Sequence, residues 1–312
     1  MILRPYRDAT DLESIRAILI AGRKAAGPAY YVHCGDLHWW LFYLDPDFQQ
    51  RLFLAERDVE GSMMGWVLLS PRFRAFDVFM HPDPALFEQR PALALWAEKQ
   101  LHAIALEQGG KDLCTMWVSE HDSQLITHLE SRGFVRSDFH MHAMERPLDD
   151  SLPEPQLPPE YCLRSVAGEH EVHQRAAAAH AAFESSKPIE RYTEGYLRFM
   201  RSPVYTPELD LVAVAPGGTF AAFCLCWLDP VNQVGHFEPV GTHPDFRRQG
   251  LGAAVLNAGL RHMQARGMKT ASVCVESDNP AAKSLYEAVG FRVIHRICTY
   301  TKPLPVPSLG QD

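Results

Sequence analysis

A glycine-bearing turn between a strand and a helix is the part of this chain best suited to chemistry. It reads Glu238-Pro239-Val240-Gly241-Thr242-His243-Pro244-Asp245-Phe246-Arg247-Arg248-Gln249-Gly250-Leu251-Gly252. The first turn of a helix leaves backbone N–H groups unpaired at the positive end of the helix dipole, and such a spot favours a phosphate. Gly250 and Gly252 let the backbone approach a ligand closely. Arg247 and Arg248 add charge suited to a diphosphate. We therefore predict a diphosphate site.

Common nucleotide signatures do not fit this turn. The chain contains no GxxxxGK[ST] and no GxGxxG followed by an acidic residue. A second informative stretch lies downstream and reads VESDNPAAKSLYEAVGF at 275–291. Its pattern predicts a strand, an asparagine, a helix that carries Tyr286, and a closing Gly-Phe pair.

Together the two stretches resemble one known family. The run R-x-x-G-x-G at 247–252 resembles the acetyl-CoA pyrophosphate loop of the GCN5-related N-acetyltransferases, the GNAT superfamily. The stretch at 275–291 resembles that family's strand, Asn, helix, Tyr and Gly-Phe signature, and both occur in the family's order. The resemblance covers Tyr161 to Lys302, with a weaker echo in residues 1–146.

The resemblance implies an acetyl-CoA-dependent N-acetyltransferase. Main-chain amides of residues 248–253 would hold the diphosphate, and main-chain groups of Val240 and Thr242 would pair with the pantetheine arm. Asn279 would lie near the thiol end, and Tyr286 near the sulfur. The cofactor-binding residues so implied are Val240, Gly241, Thr242, Arg247, Arg248, Gln249, Gly250, Leu251, Gly252, Ala253, Asn279, Ala282 and Tyr286.

The family's chemistry is direct attack of an amine on the thioester within a ternary complex, so two proton-transfer groups are sought. Glu238 is the candidate base, because its position four residues before Thr242 puts it on the same strand face near the reacting end. A strand glutamate can also be simply solvated or ion-paired. Tyr286 is the candidate acid, although a helical tyrosine ahead of Gly-Phe can also simply pack. A main-chain N–H near Val240 would polarise the thioester carbonyl.

Periodicity and breakers predict the elements around these residues. The predicted strands of the second half are 161–164, 210–214, 219–228, 233–242, 270–275 and 291–300, and its predicted helices end near 183 or cover 189–201, 249–264 and 280–289. The fold class is α/β: two tandem GNAT-like domains, each a mostly antiparallel mixed sheet flanked by helices.

The chain repeats itself on either side of a proline-rich segment. His81-Pro82-Asp83 corresponds to His243-Pro244-Asp245, which predicts a first domain at 1–146, a linker at 147–160 and a catalytic domain at 161–312. The first copy lacks the chemistry. Glu238 corresponds to Phe76, Asn279 to Asp122 and Tyr286 to Leu129, and no glycine occurs from Trp66 to Gln108. We expect this copy to support the fold and border the acceptor cleft.

The amino-acid composition limits which kinds of partner and which cell compartment are expected. The formal charge is −8 without a dense Lys/Arg run, which argues against nucleic acid. Seven cysteines without a CxxC pair indicate a reducing cytoplasm, and no apolar run long enough for a signal peptide or membrane span occurs. We expect a monomer or homodimer without metal. Cys224 with Cys226 is interpreted as a pair of buried thiols, and His140 with His142 as structural.

The leading function is therefore transfer of an acetyl group from acetyl-CoA to a small-molecule amine. Mycothiol synthases in the same family also pair a degenerate first domain with an active second one, so acetylation of a cysteinyl amine is one alternative. An acyl-CoA-binding sensor without turnover is another. Protein acetylation is weaker, because a partner domain suggests an enclosed site.

Overall fold

Alternating apolar runs broken by proline and glycine form twelve strands among residues 1–27, 30–44, 48–57, 62–149 and 152–304, which this computed structural model describes. The strands are β1 (Ile2–Pro5), β2 (Leu52–Glu56), β3 (Met63–Ser70), β4 (Ala75–Met80), β5 (Asp112–Ser119), β6 (Val135–Pro147), β7 (Cys162–Ser165), β8 (Asp210–Val214), β9 (Phe220–Asp229), β10 (Val234–Thr242), β11 (Thr270–Glu276) and β12 (Arg292–Pro303). The helices of the same residues are α1 (Ala9–Ala26), α2 (Cys34–Trp39), α3 (Pro84–Phe87), α4 (Arg90–Glu107), α5 (Ser123–Ser131), α6 (Val172–Ala182), α7 (Ile189–Met200), α8 (Leu251–Ala265) and α9 (Pro280–Ala288). Every element predicted for the second half is present, and β12 runs on to Pro303 instead of ending at residue 300.

The chain folds into two compact units that do not follow its sequence halves. The first unit comprises Met1–Val32, Asp47–His142 and His295–Asp312, and the second comprises His33–Pro46 and Ala143–Ile294. Each unit therefore includes a segment from the other half of the sequence: most of β12 in the first, α2 in the second. The predicted linear boundaries at 146 and 161 stay a prediction.

The first unit contains a mixed sheet with the strand order β1-β2-β3-β4-β5-β12. Its neighbours are antiparallel except β4 and β5, which pair in parallel. β12 pairs antiparallel with β5, placing Ile297 opposite Ser119. The core lies between this sheet and α4 and includes Val67, Phe76, Val78, Leu93, Leu101, Leu113, Cys298 and Tyr300.

The second unit contains a sheet with the strand order β11-β10-β9-β8-β7, in which only β10 and β11 are parallel. Successive residues of β9 point to opposite faces. Cys224 lies on the α8 face, where its thiol donates to the carbonyl of Val255 at 3.2 Å. Helices α6 and α7 pack together, and α6 also packs against β9 and β10. The predicted fold class, mostly antiparallel mixed sheets flanked by helices, is confirmed.

Helix α8 presents a continuous apolar face to the second sheet. This face includes Leu251, Val255, Leu256, Leu260 and Met263, all buried against β8, β9 and β10. Burial of such side chains contributes about 1.5–3 kcal/mol each, so the start of α8 is held firmly at the end of β10. None of the helices formed by the described residues combines the length and apolar character needed to cross a membrane.

Candidate active site

Two neighbouring strands of the second unit separate at one end. The parallel pairing of β10 with β11 starts at Val234 and Thr270 and ends at Phe237 and Val273. β10 then continues alongside β9 to Thr242, after a register shift between Phe237 and Val240, and β11 continues to Glu276. The end of β10 thus turns a main-chain edge towards the gap. An extended ligand can pair with such an edge as an added strand.

The turn after β10 has a row of main-chain donors at the start of α8. Arg248 and Gly250 adopt left-handed backbone angles, with φ values of 66° and 80°. The amides of residues 248–253 donate to no acceptor within the described parts of the chain, and the first bond of the helix runs from Ala254 to the carbonyl of Gly250. Successive N–H groups in this conformation, at the positive end of a helix dipole, form an anion-binding concavity.

These features line one cleft of about 680 Å³, here called the α8 cleft. Its walls are the end of β10, the turn, the starts of α8 and α9, Glu276, and residues 182–184 after α6. The predicted residues on its wall are Val240, Gly241, Thr242, Arg247, Arg248, Gly250, Leu251, Gly252, Ala253, Asn279, Ala282 and Tyr286. Gln249 is not among them. Its side chain accepts a hydrogen bond from the Tyr161 hydroxyl at 2.9 Å.

Two glycines are closely packed around the α8 cleft. A Cβ at Gly252 would lie 3.0 Å from Leu285 Cδ2 and 3.2 Å from Thr242 Oγ1. A Cβ at Gly241 would lie 2.4 Å from Phe223 Cζ. Gly250 differs, because its neighbourhood is open and its positive φ sets the requirement.

Arg247 holds the turn to the end of α6. Its guanidinium donates to the Glu184 carboxylate at 2.9 Å and to the Ala182 carbonyl at 3.1 Å. Arg248, by contrast, makes no hydrogen bond or ion pair within the described chain and is the more available of the two cations. Sequence reasoning missed residues 182–184, since nothing in their local pattern marks a ligand site.

The start of α9 forms the far wall of the α8 cleft. The Asn279 side chain caps this helix by accepting from the amide of Ala282 at 3.1 Å. One turn later Tyr286 is buried, with its ring edge-on to Phe291 at 6.0 Å. Burial raises the pKa of Tyr286, and the nearby negative charge of Glu238 adds to the effect. The phenol therefore keeps its proton at neutral pH.

Glu238 lies on β10 outside the wall of the α8 cleft, with its carboxyl group among other acids. Loss of water around this group raises the pKa of Glu238 to about 8, with further contributions from the negative charges of Asp36 and Glu276. Burial also raises the pKa of Glu276, assisted by Asp278. Asp36 comes from α2, so no motif around Glu238 could have revealed it.

Comparison with known proteins agrees with this geometry. Residues 176–291 match the model of the acetyltransferase (GNAT) family. The chain is 28% identical over 256 residues to the mycothiol acetyltransferase of Nocardiopsis dassonvillei, covering 73% of this chain and 74% of that protein. It is 24% identical to the mycothiol acetyltransferase of Saccharomonospora viridis, covering 95% and 96% of the two chains. A solved tandem GNAT protein from the clavulanic acid biosynthesis pathway shares the fold, with a TM-score of 0.67, 15% identity and 98% coverage of each chain.

The chain belongs to the GNAT acetyltransferase superfamily. It is an acetyl-CoA-dependent N-acetyltransferase of the tandem, mycothiol synthase-like arrangement. The resemblance drawn from the two sequence stretches is therefore confirmed, as is the predicted transfer of an acetyl group to an amine. The sensor alternative and the cysteinyl-amine alternative are not favoured.

In this acetyltransferase the first copy of the turn has its donors occupied. The Asp83 side chain accepts from the amide of Ala85, and the Asp83 carbonyl accepts from Leu86 and Phe87. Arg90 is buried and pairs with the half-buried Asp122 at 2.5 Å. The first turn therefore presents no row of free amides comparable to residues 248–253.

Several other histidine and aromatic side chains pack against one another. His140 and His142 form an edge-on ring pair with centroids 4.9 Å apart. All seven cysteines are free thiols. Two aromatic residues of the segment around α2 pack against α7: Trp39 on Phe199, and Tyr43 on Tyr196.

Proposed function

We propose that this acetyltransferase transfers the acetyl group of acetyl-CoA to the primary amine of a small molecule by direct attack in a ternary complex. Glu238 takes the proton of the amine, and Tyr286 gives a proton to the departing thiolate of CoA. The cofactor is held by the main chain of residues 248–253 and by the edge of β10 around Val240.

The row of unpartnered amides at residues 248–253 carries this proposal. Six consecutive N–H groups without a protein acceptor, at the start of a helix, match the acceptor-only oxygens of a diphosphate. The α8 cleft that continues from them has about 680 Å³, within the size range of small-molecule sites. Tyr286 lines the same cleft, and we assign to its hydroxyl the proton that the departing thiolate takes.

The packing of α2 beside Glu238 supports a small acceptor. Helix α2 approaches β9 so closely that a Cβ at Gly35 would lie 2.2 Å from Trp227 Cγ. The Trp227 indole in turn donates to the carbonyl of Glu238 at 2.7 Å. A lysine on the surface of a large protein would have to extend past α2 to reach Glu238, whereas a small amine can bind there without such a clash.

The chemical step balances with these groups alone. The amine nitrogen forms a bond to the acetyl carbonyl carbon, and the carbon–sulfur bond breaks. The proton lost by the nitrogen goes to Glu238, and the thiolate takes the proton of Tyr286. Because both proton transfers are assigned to side chains, the proposed reaction requires no metal ion.

We also propose that only the second copy, 161–312, binds acetyl-CoA and that the first copy, 1–146, supports the fold beyond the linker at 147–160. The occupied amides at residues 85–87 support this division. Seven free thiols support a cytoplasmic location, and the net charge of −8 argues against nucleic-acid and membrane partners. We expect a monomer or homodimer.

Release of free CoA thiol from acetyl-CoA, measured against a panel of small primary amines, tests the proposal. We expect amine-dependent release from the wild type, and at least about a 100-fold loss of kcat in E238Q, since general bases contribute about 10²–10⁴-fold. Tight CoA binding without release across the panel would instead favour a sensor. Release that proceeds equally well in E238Q would remove Glu238 from the mechanism.

A further inference from the structure

One carboxylate beside Glu238 comes from the first half of the sequence. Asp36 is the third residue of α2, and its Oδ1 atom lies 3.2 Å from Nε2 of His236 on β10. One side-chain atom each of Asp36, His236 and Glu238 lies within 4.8 Å of the other two. Asp36 and His236 are almost completely buried. The three groups therefore interact strongly, with little water between them to screen their charges.

The partners of His236 determine where its hydrogen lies. A carboxylate can only accept, so Nε2 carries the hydrogen and donates it to Asp36. Nδ1 lies 2.9 Å from the Ser272 hydroxyl, whose hydrogen also has the carbonyl of Gly235 as an acceptor at 3.2 Å. The ring of His236 is therefore held on both sides, by Asp36 and by Ser272. The ring of His33 stacks on His236 at 5.1 Å and fixes its plane.

Both oxygens of Asp36 accept hydrogen bonds from N–H groups. Oδ1 accepts from His236, and Oδ2 accepts from the amide of His33 at 2.8 Å, at the positive end of α2. The carboxylate of Glu238 accepts no hydrogen bond from any side chain or amide in the described ranges. The two acids therefore differ in their hydrogen bonds: Asp36 binds two N–H donors, and Glu238 binds none among the described residues.

We propose that Asp36 is a positioning residue: held by His236 and His33, it keeps a fixed negative charge beside Glu238, so that Glu238 is the acid that takes the proton of the amine. This inference rests on the proposed role of Glu238 as the base. It adds that the first half of the sequence, through α2, sets the pH range in which the second half works.

The other charged and titratable groups around Glu238 are few. Glu276 faces it from β11, Tyr286 from α9 and His236 from its own strand, with His33 stacked on His236. The side-chain amide in D36N keeps an oxygen that can accept from His236, so the main change is the loss of the charge on α2.

The test is the pH dependence of kcat/KM for the acceptor amine in the full-length chain. Two charges this close in a partly buried site interact strongly. The acid limb, the pH range over which kcat/KM falls as the pH is lowered, should therefore move down by about 1 to 2 pH units in D36N. The affinity for CoA should stay unchanged, because Asp36 is not on the wall of the α8 cleft. D138N removes the same charge from an exposed strand residue and should leave the limb in place.

The outcomes separate this inference from the function on which it rests. A D36N enzyme with full CoA affinity and an unmoved acid limb overturns the role of Asp36 and leaves Glu238 as the base. An E238Q enzyme with wild-type activity and an unchanged profile overturns both. A merely structural role for Asp36 would lower stability and rate together, without displacing the limb.

A second variant and a direct measurement remain if D36N folds poorly. D36S keeps an oxygen for the amide of His33 and also removes the charge. The infrared band of protonated Glu238, assigned by its absence in E238Q, can be titrated without catalysis. We expect the band to persist above pH 7 in the wild type and to disappear at lower pH in D36S. If raising the pH removes the wild-type band before pH 6 is reached, the proposal is contradicted even if neither variant folds.

Discussion

The guanidinium of Arg247 lies 2.9 Å from the carboxylate of Glu184 and also donates to the carbonyl of Ala182. The arginine of the glycine-rich turn is thus bound to the end of α6, and its main effect is on the shape of the turn. Both partners in the ion pair are largely exposed, so the pair itself contributes about 0–1 kcal/mol. The carbonyl contact adds a second anchor.

Changing Arg247 or Glu184 in turn should separate the effect of the ion pair from that of the contact with the Ala182 carbonyl. We expect R247Q to weaken CoA binding by about tenfold, equivalent to about 1.4 kcal/mol, because the turn loses both anchors. E184Q should weaken it by less than about fivefold, the equivalent of one exposed ion pair. Calorimetric titration with CoA measures both. An E184Q variant as weak as R247Q would show that the ion pair dominates.

The glycines of the turn should be indispensable for CoA binding. Valine at position 250 is strained by the positive φ of 80°, and valine at position 252 clashes with Leu285. We expect the double variant G250V/G252V to bind no CoA, while the wild type binds one molecule per chain. G217A, on an open surface turn, is the matched control and should bind normally. If the double variant instead keeps half of the CoA stoichiometry of the wild type, the first copy of the domain also binds CoA.

Activity should rise through the pKa of Glu238. Only the ionised carboxylate can accept a proton, so kcat/KM for the amine should fall as the pH drops below about 8, the value to which burial and the charges of Asp36 and Glu276 raise this pKa. A rate profile at saturating acetyl-CoA measures the limb. E238Q should lose this limb and keep only the titration of the amine. A limb near pH 4 in the wild type would contradict the raised pKa.

Tyr286 should act through its hydroxyl group alone. Y286F keeps the buried ring, so we expect a stability within about 1 kcal/mol of the wild type and a kcat lower by about 10². Y161F removes a hydroxyl that binds Gln249 outside the α8 cleft and should retain full kcat. Steady-state kinetics with thermal unfolding measures both quantities. An unchanged kcat in Y286F would assign the proton of the thiolate to another donor.

The buried ion pair of the first copy should support stability and not binding. Arg90 also lies over the rings of Tyr30 and Phe87, and its partner Asp122 caps α5. Breaking a buried pair leaves an uncompensated charge and costs about 3–5 kcal/mol. R90M should therefore lower the free energy of unfolding by several kcal/mol, with an unchanged CoA affinity in the protein that stays folded. Denaturant unfolding and calorimetry test the two parts separately.

The turn of the second half could be predicted because its chemistry is local. Gly250 and Gly252 indicate close backbone approach, and the apolar period that follows them indicates α8. Asp36 could not be found in this way, since it lies 200 residues from His236 in the sequence. Glu184 reaches Arg247 across 63 residues. Periodicity in a single sequence does not reveal contacts between residues so far apart along the chain. The sequence therefore predicted the amide donors of the turn, but not the acidic partners Asp36 and Glu184.

The last strand has a consequence for how the protein is made. β12 pairs with β5 in the first unit, yet strands β7 to β11 of the second unit lie between the two in the sequence. A growing polypeptide cannot complete the sheet of its first unit until Pro303 has left the ribosome. Until then the open edge of β5 is exposed to other nascent chains. Synthesis of the second unit is therefore also the interval in which the first most needs protection by chaperones.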